Sequence, residues 1–216
     1  MSEFVDSGGR RTARRDDILF YFDHYFARSL TQSDVGTVQR FFECNPDYFE
    51  LWNGIAPRSN EAQLEFDDLP PPEMPYARRW MVGCFDDNHS LLAFATVIKD
   101  LLAAHVWHTS LFVTATSLRG TGFAAKLYMA LETWMRAGGA LWLRLGVLRG
   151  HTRAESFWRK MGYIEVRNRH GINTGVRIVS NVVMIKPLTD ASINLYLELV
   201  PRDRPESASA SSPAVT

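Results

Sequence analysis

Between Val106 and Gly162 the chain alternates strand and helix around a glycine-bearing turn, and this order restricts the fold more than any other feature. Val106 to Thr114 reads as a strand whose end is rich in Leu111, Phe112 and Val113. After the turn, Phe123, Leu127, Leu131 and Trp134 trace one apolar face of a helix. Glu132 and Arg136 are spaced to pair on it, and Gly138-Gly139 stops it. A strand follows at Leu141 to Val147. Thr152 and Glu155 then form a capping box for a second helix, with Ala154, Phe157, Trp158 and Met161 as its buried stripe and Gly162 past its end.

The flanking segments extend this pattern. An aromatic run, Ile18 to Leu30, ends as a strand; Thr31 caps a helix to about Phe42, with Asp34 in its first turn. Asn45-Pro46 opens a short helix, Asn as cap and Pro at the first helical position, and Tyr48, Phe49 and Trp52 have helical spacing on it. A third helix spans Ser59 to Phe66, before the breaker LPPPEMP. Trp80–Phe85 and Leu91–Ile98 read as a hairpin, turned at Asp86-Asp87-Asn88. Strands at Tyr163–Arg167 and Val176–Lys186 and a short helix at Ser192–Val200 complete the order. The expectation is a mixed α/β domain on one sheet, residues 17–201. Residues 1–16, rich in Gly, Arg and Asp, and 202–216, rich in Ser, Ala and Pro, are expected to be disordered.

Composition excludes several function classes. Lys+Arg and Asp+Glu both number 24, so no overall basic field favours nucleic acid or an anionic membrane. No apolar run approaches the roughly 20 residues that span a bilayer, and the polar N-terminus lacks the apolar stretch of a signal peptide. Cys44 and Cys84 form no CxxC pattern and read as free thiols, which with the other features gives a cytoplasmic expectation.

The chemistry concentrates in Arg119-Gly120-Thr121-Gly122-Phe123-Ala124. A glycine turn at a helix N-terminus leaves backbone N–H groups pointing outward, and these, with the helix dipole, suit a pyrophosphate. Gly120-x-Gly122-x-x-Ala125 satisfies the dinucleotide fingerprint in isolation. That fingerprint wants the first strand–helix–strand unit and an acid closing the next strand. Here the turn lies past the middle of the chain, and the next strand ends Gly146-Val147-Leu148-Arg149-Gly150, without an acid.

The same stretch resembles the Arg/Gln-x-x-Gly-x-Gly/Ala loop of the GNAT superfamily of acyl-CoA N-acyltransferases, with Arg119, Gly122 and Ala124 at its defining positions. Ala154-x-x-Phe157-Trp158-Arg159-Lys160-Met161-Gly162-Tyr163 is similar to that family's A-x-x-F-Y-E-K-L-G-F helix. Leu30-Thr31-x-x-Asp34 and Asn45-Pro46-Asp47-Tyr48-Phe49 add weaker matches, so the resemblance covers roughly residues 20–190. It implies a mostly antiparallel central sheet with one splayed strand pair, flanked by helices. It also implies acetyl-CoA as co-substrate, and no metal. Backbone groups of Phe112, Val113 and Thr114 would hold pantetheine. Arg119, Gly120, Thr121, Gly122, Phe123 and Ala124 would hold pyrophosphate, and Trp158 would touch the co-substrate. The acetyl group would pass directly to a small-molecule or peptide amine; a homodimer is compatible with the resemblance.

Two departures bear on proton handling. Trp158 stands where many members have a Tyr acid, and an indole N–H does not ionise near neutral pH. His151 stands where many have Asn. His151 and, on the strand face expected to carry Ser110 and Phe112, His108 are the candidate acid–base groups; His105 and His108 do not form a metal pair. Tyr48, Phe49, Trp52, Glu61, Glu65, Asp67 and Asp68 would suit a cationic amine. A non-catalytic acyl-CoA-binding or sensor module is the rival reading, prompted by Trp158.

Overall fold

Strand segments that alternate large apolar residues between their two faces need cover on both sides, and the fold supplies it with helices packed on each face of one sheet. The computed structural model describes residues 17–174 and 176–205. Its strands are β1 (Ile18–Phe22), β2 (Tyr25–Leu30), β3 (Arg78–Phe85), β4 (Leu91–Lys99), β5 (Val106–Thr114), β6 (Trp142–Leu148), β7 (Ile164–Asn173) and β8 (Ile178–Pro187). They form one sheet in the order β1-β2-β3-β4-β5-β6-β8-β7. Every neighbouring pair is antiparallel except β5 and β6. The expected mixed α/β fold with a mostly antiparallel sheet is what the chain adopts.

The helices are α1 (Val35–Cys44), α2 (Asp47–Asn53), α3 (Glu61–Asp67), α4 (Phe123–Ala137), α5 (Thr152–Lys160) and α6 (Ile193–Leu199). On one face α4 and α5 bury Tyr128, Leu131, Met135 and Trp158 against Ala95, Val97, Leu143, Leu145 and Val147. On the other, Val38, Phe42 and Phe49 of α1 and α2 meet Met81, Phe94, Leu111 and Val113. Trp134, expected on the buried stripe of α4, is half-buried and meets Trp80 and Trp107 edge-on, ring centroids 5.2 and 5.5 Å away.

Several local expectations are corrected. The run from Ile18 to Leu30 is a hairpin, β1 and β2, whose turn places Asp23 at φ +47°, a conformation short polar residues tolerate. Thr31 precedes a 3-10 turn, Gln32–Asp34, rather than α1 itself; its N–H donates to the Asp34 carboxylate at 2.9 Å. Asn45 does not cap α2. Its amide donates to the Phe41 carbonyl and accepts from the Thr116 N–H at 2.7 Å, tying α1 to the segment after β5. Thr152 does not cap α5, whose N-cap is His151; Glu155 instead accepts the Gly150 N–H at 2.9 Å.

The chain beyond Arg202 is corrected in part. Pro201–Asp203 forms a 3-10 turn, and Asp203 is fully buried. A segment of tail-like composition docks here because one carboxylate meets a buried guanidinium. The remaining residues expected to be disordered, 1–16 and 206–216, lie outside the described ones.

Candidate active site

β5 and β6 pair only at Val106–Thr109 with Trp142–Leu145. Beyond those four pairs β5 continues on β4 and β6 on β8, so the two strands part. The edge of β5 that has lost its neighbour offers backbone N–H and C=O groups to the gap at alternate residues. A cavity of about 360 Å³ fills the gap. Phe112, Ala154 and Trp158 line it from the α4–α5 face, with His151 at the head of α5. Tyr48, Leu51 and Trp52 of α2 line it from the other face, and His108, Arg144, Arg169 and Asn181 contribute polar groups.

A bulge moves His108 away from its expected face. The β4–β5 register shifts between Thr96 and Val97, so Ala95 opposes Phe112 and Thr96 opposes Leu111, yet Val97 opposes Thr109 and Ile98 opposes His108. The extra residue, Ser110, turns His108 to the face opposite Phe112. There its Nδ1 lies 3.1 Å from the Arg144 carbonyl oxygen and 3.3 Å from Arg144 Nη1. Burial, and after it the Arg144 charge, pushes the imidazole down to about 3. His151 is half-buried; burial, then the charge of Arg153 and, more weakly, Arg119, lowers its pKa below the ordinary value.

Arg144 and Asp203 went unnoticed in the sequence. Arg144, on β6, is nine-tenths or more buried and donates from Nε and Nη2 to Asp203 at 2.7 and 3.0 Å. Tyr196 Oη and Arg169 Nη2 donate to the same carboxylate at 2.6 and 2.9 Å. Burial alone would raise that carboxyl, but the bonded Arg144 guanidinium, with Tyr196 and Arg169, holds it down to about 2. A charged residue between Leu143 and Leu145 in an otherwise apolar strand was the available signal for Arg144. For Asp203 there was none.

Both titrations have the same sign. His108 binds its proton in the unfolded chain from about 6.5 but in the folded one only near 3, and Asp203 from about 3.9 unfolded but near 2 folded. In each case the unfolded state holds more protons, so stability falls as pH drops. The contribution of His108 to the loss begins near 6.5, and that of Asp203 near 4. Urea unfolding between pH 7 and 3 is expected to show this decline, and His108→Gln should remove its upper part.

The loop expected to hold pyrophosphate lies between the end of β5 and the start of α4. Gly120 and Gly122 have φ of +80° and +83°, and a side chain at either would meet nothing within 4 Å. Glycine is needed here for backbone conformation, and the space over the loop is open. Among the described residues nothing accepts from the N–H groups of Gly120, Gly122 or Ala124. Thr121 Oγ1 donates to the Leu118 carbonyl at 2.8 Å, and its oxygen accepts from the Phe123 N–H at 3.3 Å. Arg119 pairs with Asp47 at the start of α2. Three unpaired donors at the positive end of a 15-residue helix suit an anion.

Of the other residues singled out, the side chain of Val113 packs into the α1–α2 core, and Thr114 opposes Ala93 on β4. Trp158 is buried, edge-on to Phe112 and Tyr128 with ring centroids 5.5 and 5.1 Å away, so it is both core and cavity wall. Behind it Tyr128 Oη donates to Tyr163 Oη at 2.8 Å; burial first of all drives both phenols well above their ordinary range. Three of the four acidic residues considered for a cationic acceptor are engaged elsewhere, and Asp68 does not line the cavity. Glu65 accepts from Thr96 and pairs with Arg79, Glu61 pairs with Arg58, and Asp67 accepts from Gln63. No acidic residue is among the described residues lining the cavity.

Among the described residues no group of three His, Cys, Asp or Glu is placed to hold a metal ion. No helix among them is long and apolar enough to cross a membrane.

Residues 40–163, more than half of the chain, match the acetyltransferase (GNAT) family. The fold is similar to that of the ribosomal-protein-S18-alanine N-acetyltransferase from Escherichia coli, at 14% identity over 80% of this chain and 99% of that one, TM-score 0.55. It is similar also to an acetyltransferase from Thermus thermophilus, at 19% identity over 78% and 100%, TM-score 0.57. A third likeness is to the ribosomal-protein-S5-alanine acetyltransferase from Vibrio fischeri, at 13% identity over 80% and 98%, TM-score 0.56. At these identities the likeness is one of fold. No curated protein sequence matches this chain.

Proposed function

Because the chain belongs to the acetyltransferase (GNAT) family, a family that uses acetyl-CoA, we propose that it transfers the acetyl group directly to an amine held where β5 and β6 part. The observation that carries the reading is a gap in the sheet adjoining a helix N-terminus with three unpaired N–H groups under open space. The N–H groups of Gly120, Gly122 and Ala124 would hold pyrophosphate, with Arg119, Thr121 and Phe123 shaping the turn. The free edge of β5 at Phe112, Val113 and Thr114 would hold the pantetheine amides, and Phe112 and Trp158 would wall its apolar part.

When bound, the thioester supplies the acetyl group and a thiolate leaving group, so the N–C bond forms as the C–S bond breaks. The protein's own part is to fix the amine against that carbon and to take the proton the amine sheds. His151 suits the second role, because it lines the cavity and, with its pKa lowered, is neutral at pH 7. His108, pushed down to about 3, is too weak a base and acts as a neutral part of the cavity wall. Trp158 cannot protonate the thiolate, which takes its proton from water.

Thiol release from acetyl-CoA with a panel of amines tests the reading; no release with any of them would overturn it. If His151 is the base, the rate rises with pH through a value below 6.5, and His151→Asn lowers kcat by about 100-fold. CoA affinity should stay within a few-fold. A limb that follows the acceptor's own pKa and survives the substitution would exclude His151.

A further inference from the structure

We infer that the acceptor carries a carboxylate close to its amine, with Arg169 binding the carboxylate and Asn181 the amino group; this rests on the acetyltransferase reading above. Arg169 and Asn181 are direct cross-strand partners on β7 and β8, and both line the cavity. Each presents a buried polar atom with no partner among the described residues: Nε of Arg169, a donor, and Oδ1 of Asn181, an acceptor. Buried polar atoms are rarely left unpaired. A donor and an acceptor on opposed residues, Cβ atoms roughly 5 Å apart, match a molecule that offers an acceptor and a donor a few bonds apart. A carboxylate beside an amine does so. Asn181 lies over Gly146, where a Cβ would come within 3.0 Å of Nδ2, so the absent side chain is part of how the amide is seated.

The charge distribution selects the same class. The cavity lining contains Arg144 and Arg169 but no acid. The carboxylate that bonds both lining arginines, Asp203, already accepts from Arg144, Arg169 and Tyr196, which leaves it nothing for a polycation. One carboxylate between two guanidiniums leaves an excess positive charge that an anionic acceptor group would neutralise. Burial, then Arg144, disfavours the charge on Arg169; Asp203 opposes this, and Arg202 and Arg167 add to it.

The test compares proteinogenic amino acids with their carboxamides and with spermidine, by thiol release from acetyl-CoA. Amino acids that serve as acceptors should exceed their carboxamides in kcat/KM by about tenfold or more, as charge-assisted bonds do over neutral ones, and spermidine should be poor. Arg169→Met should erase the preference, and Arg169→Lys should keep part of it. Asn181→Asp should reverse it by repelling the carboxylate. Melting temperatures identify any variant that fails to fold, and Asn181→Asp then decides independently of Arg169. Equal or better turnover of carboxamides or spermidine would overturn the inference, as would a preference that persists in Arg169→Met. So would a loss of CoA affinity in Arg169→Met, which would give Arg169 to the co-substrate. Calorimetric titration of the same amino acids into the protein without acetyl-CoA separates the two readings. If no amine is acetylated the transfer reading fails, while carboxylate binding that Arg169→Met removes still upholds this inference, and its absence overturns it.

Discussion

Asp203→Ala is expected to destabilise the protein by about 3–5 kcal/mol, the typical cost of breaking a buried ion pair from one side. Asp203 is fully buried and neutralises Arg144, itself 4% exposed. Its removal strands that guanidinium beside His108 and leaves the Tyr196 hydroxyl without its acceptor. For a domain whose whole stability is about 5–15 kcal/mol, that is a large share. Asp203→Asn keeps the shape and loses the charge, so it should fall between. Replacing both partners, Arg144→Met with Asp203→Leu, should recover much of the loss, because the desolvation cost of both charges disappears with them. Urea unfolding measures all three. A chain ending at Pro205 is expected to be more stable than one ending at Val200, which should behave like Asp203→Ala or worse. Equal melting temperatures for the two truncations would contradict it.

The tail illustrates what the sequence conceals. Arg202-Asp203-Arg204-Pro205 reads as solvated chain, since neither periodicity nor an apolar residue marks Asp203 for burial; its partner lies 59 positions away on β6. Local signals, by contrast, carried most of the fold. The apolar-ended run Val106–Thr114 and the amphipathic segments at Phe123 and Thr152 became β5, α4 and α5 close to their expected bounds. Caps were less legible, because a side chain with several backbone neighbours bonds whichever the tertiary fold brings near. Asn45 reached Thr116 and Glu155 reached Gly150. The bulge at Ser110 was invisible because one inserted residue leaves no mark on composition, yet it decides which face His108 occupies. The glycine loop was legible for the opposite reason: positive φ leaves its signature in the residue type itself.

That loop carries the second large effect. Gly122 has φ +83°, so any side chain there is strained, and a lost affinity could arise from the backbone alone. Asn and Asp are nearly equal in size and both tolerate this conformation, so the pair isolates charge. A carboxylate placed about 4 Å from the two charges of a pyrophosphate costs about 2 kcal/mol at a water-like dielectric and more in the less polar protein surface, at least roughly 30-fold in affinity. Gly122→Asn has a free donor and no charge and carries only the backbone strain that Gly122→Asp shares, so it should bind CoA far more tightly than Gly122→Asp.

Calorimetric titration of CoA into wild type, Gly122→Asn and Gly122→Asp is therefore the most direct measurement of whether this loop and the parted strands beside it hold the co-substrate. Saturable binding to the first two and a loss of at least about 30-fold in the third is the predicted result. Wild-type affinity in a folded Gly122→Asp protein, or no CoA binding to the wild type, would contradict the account.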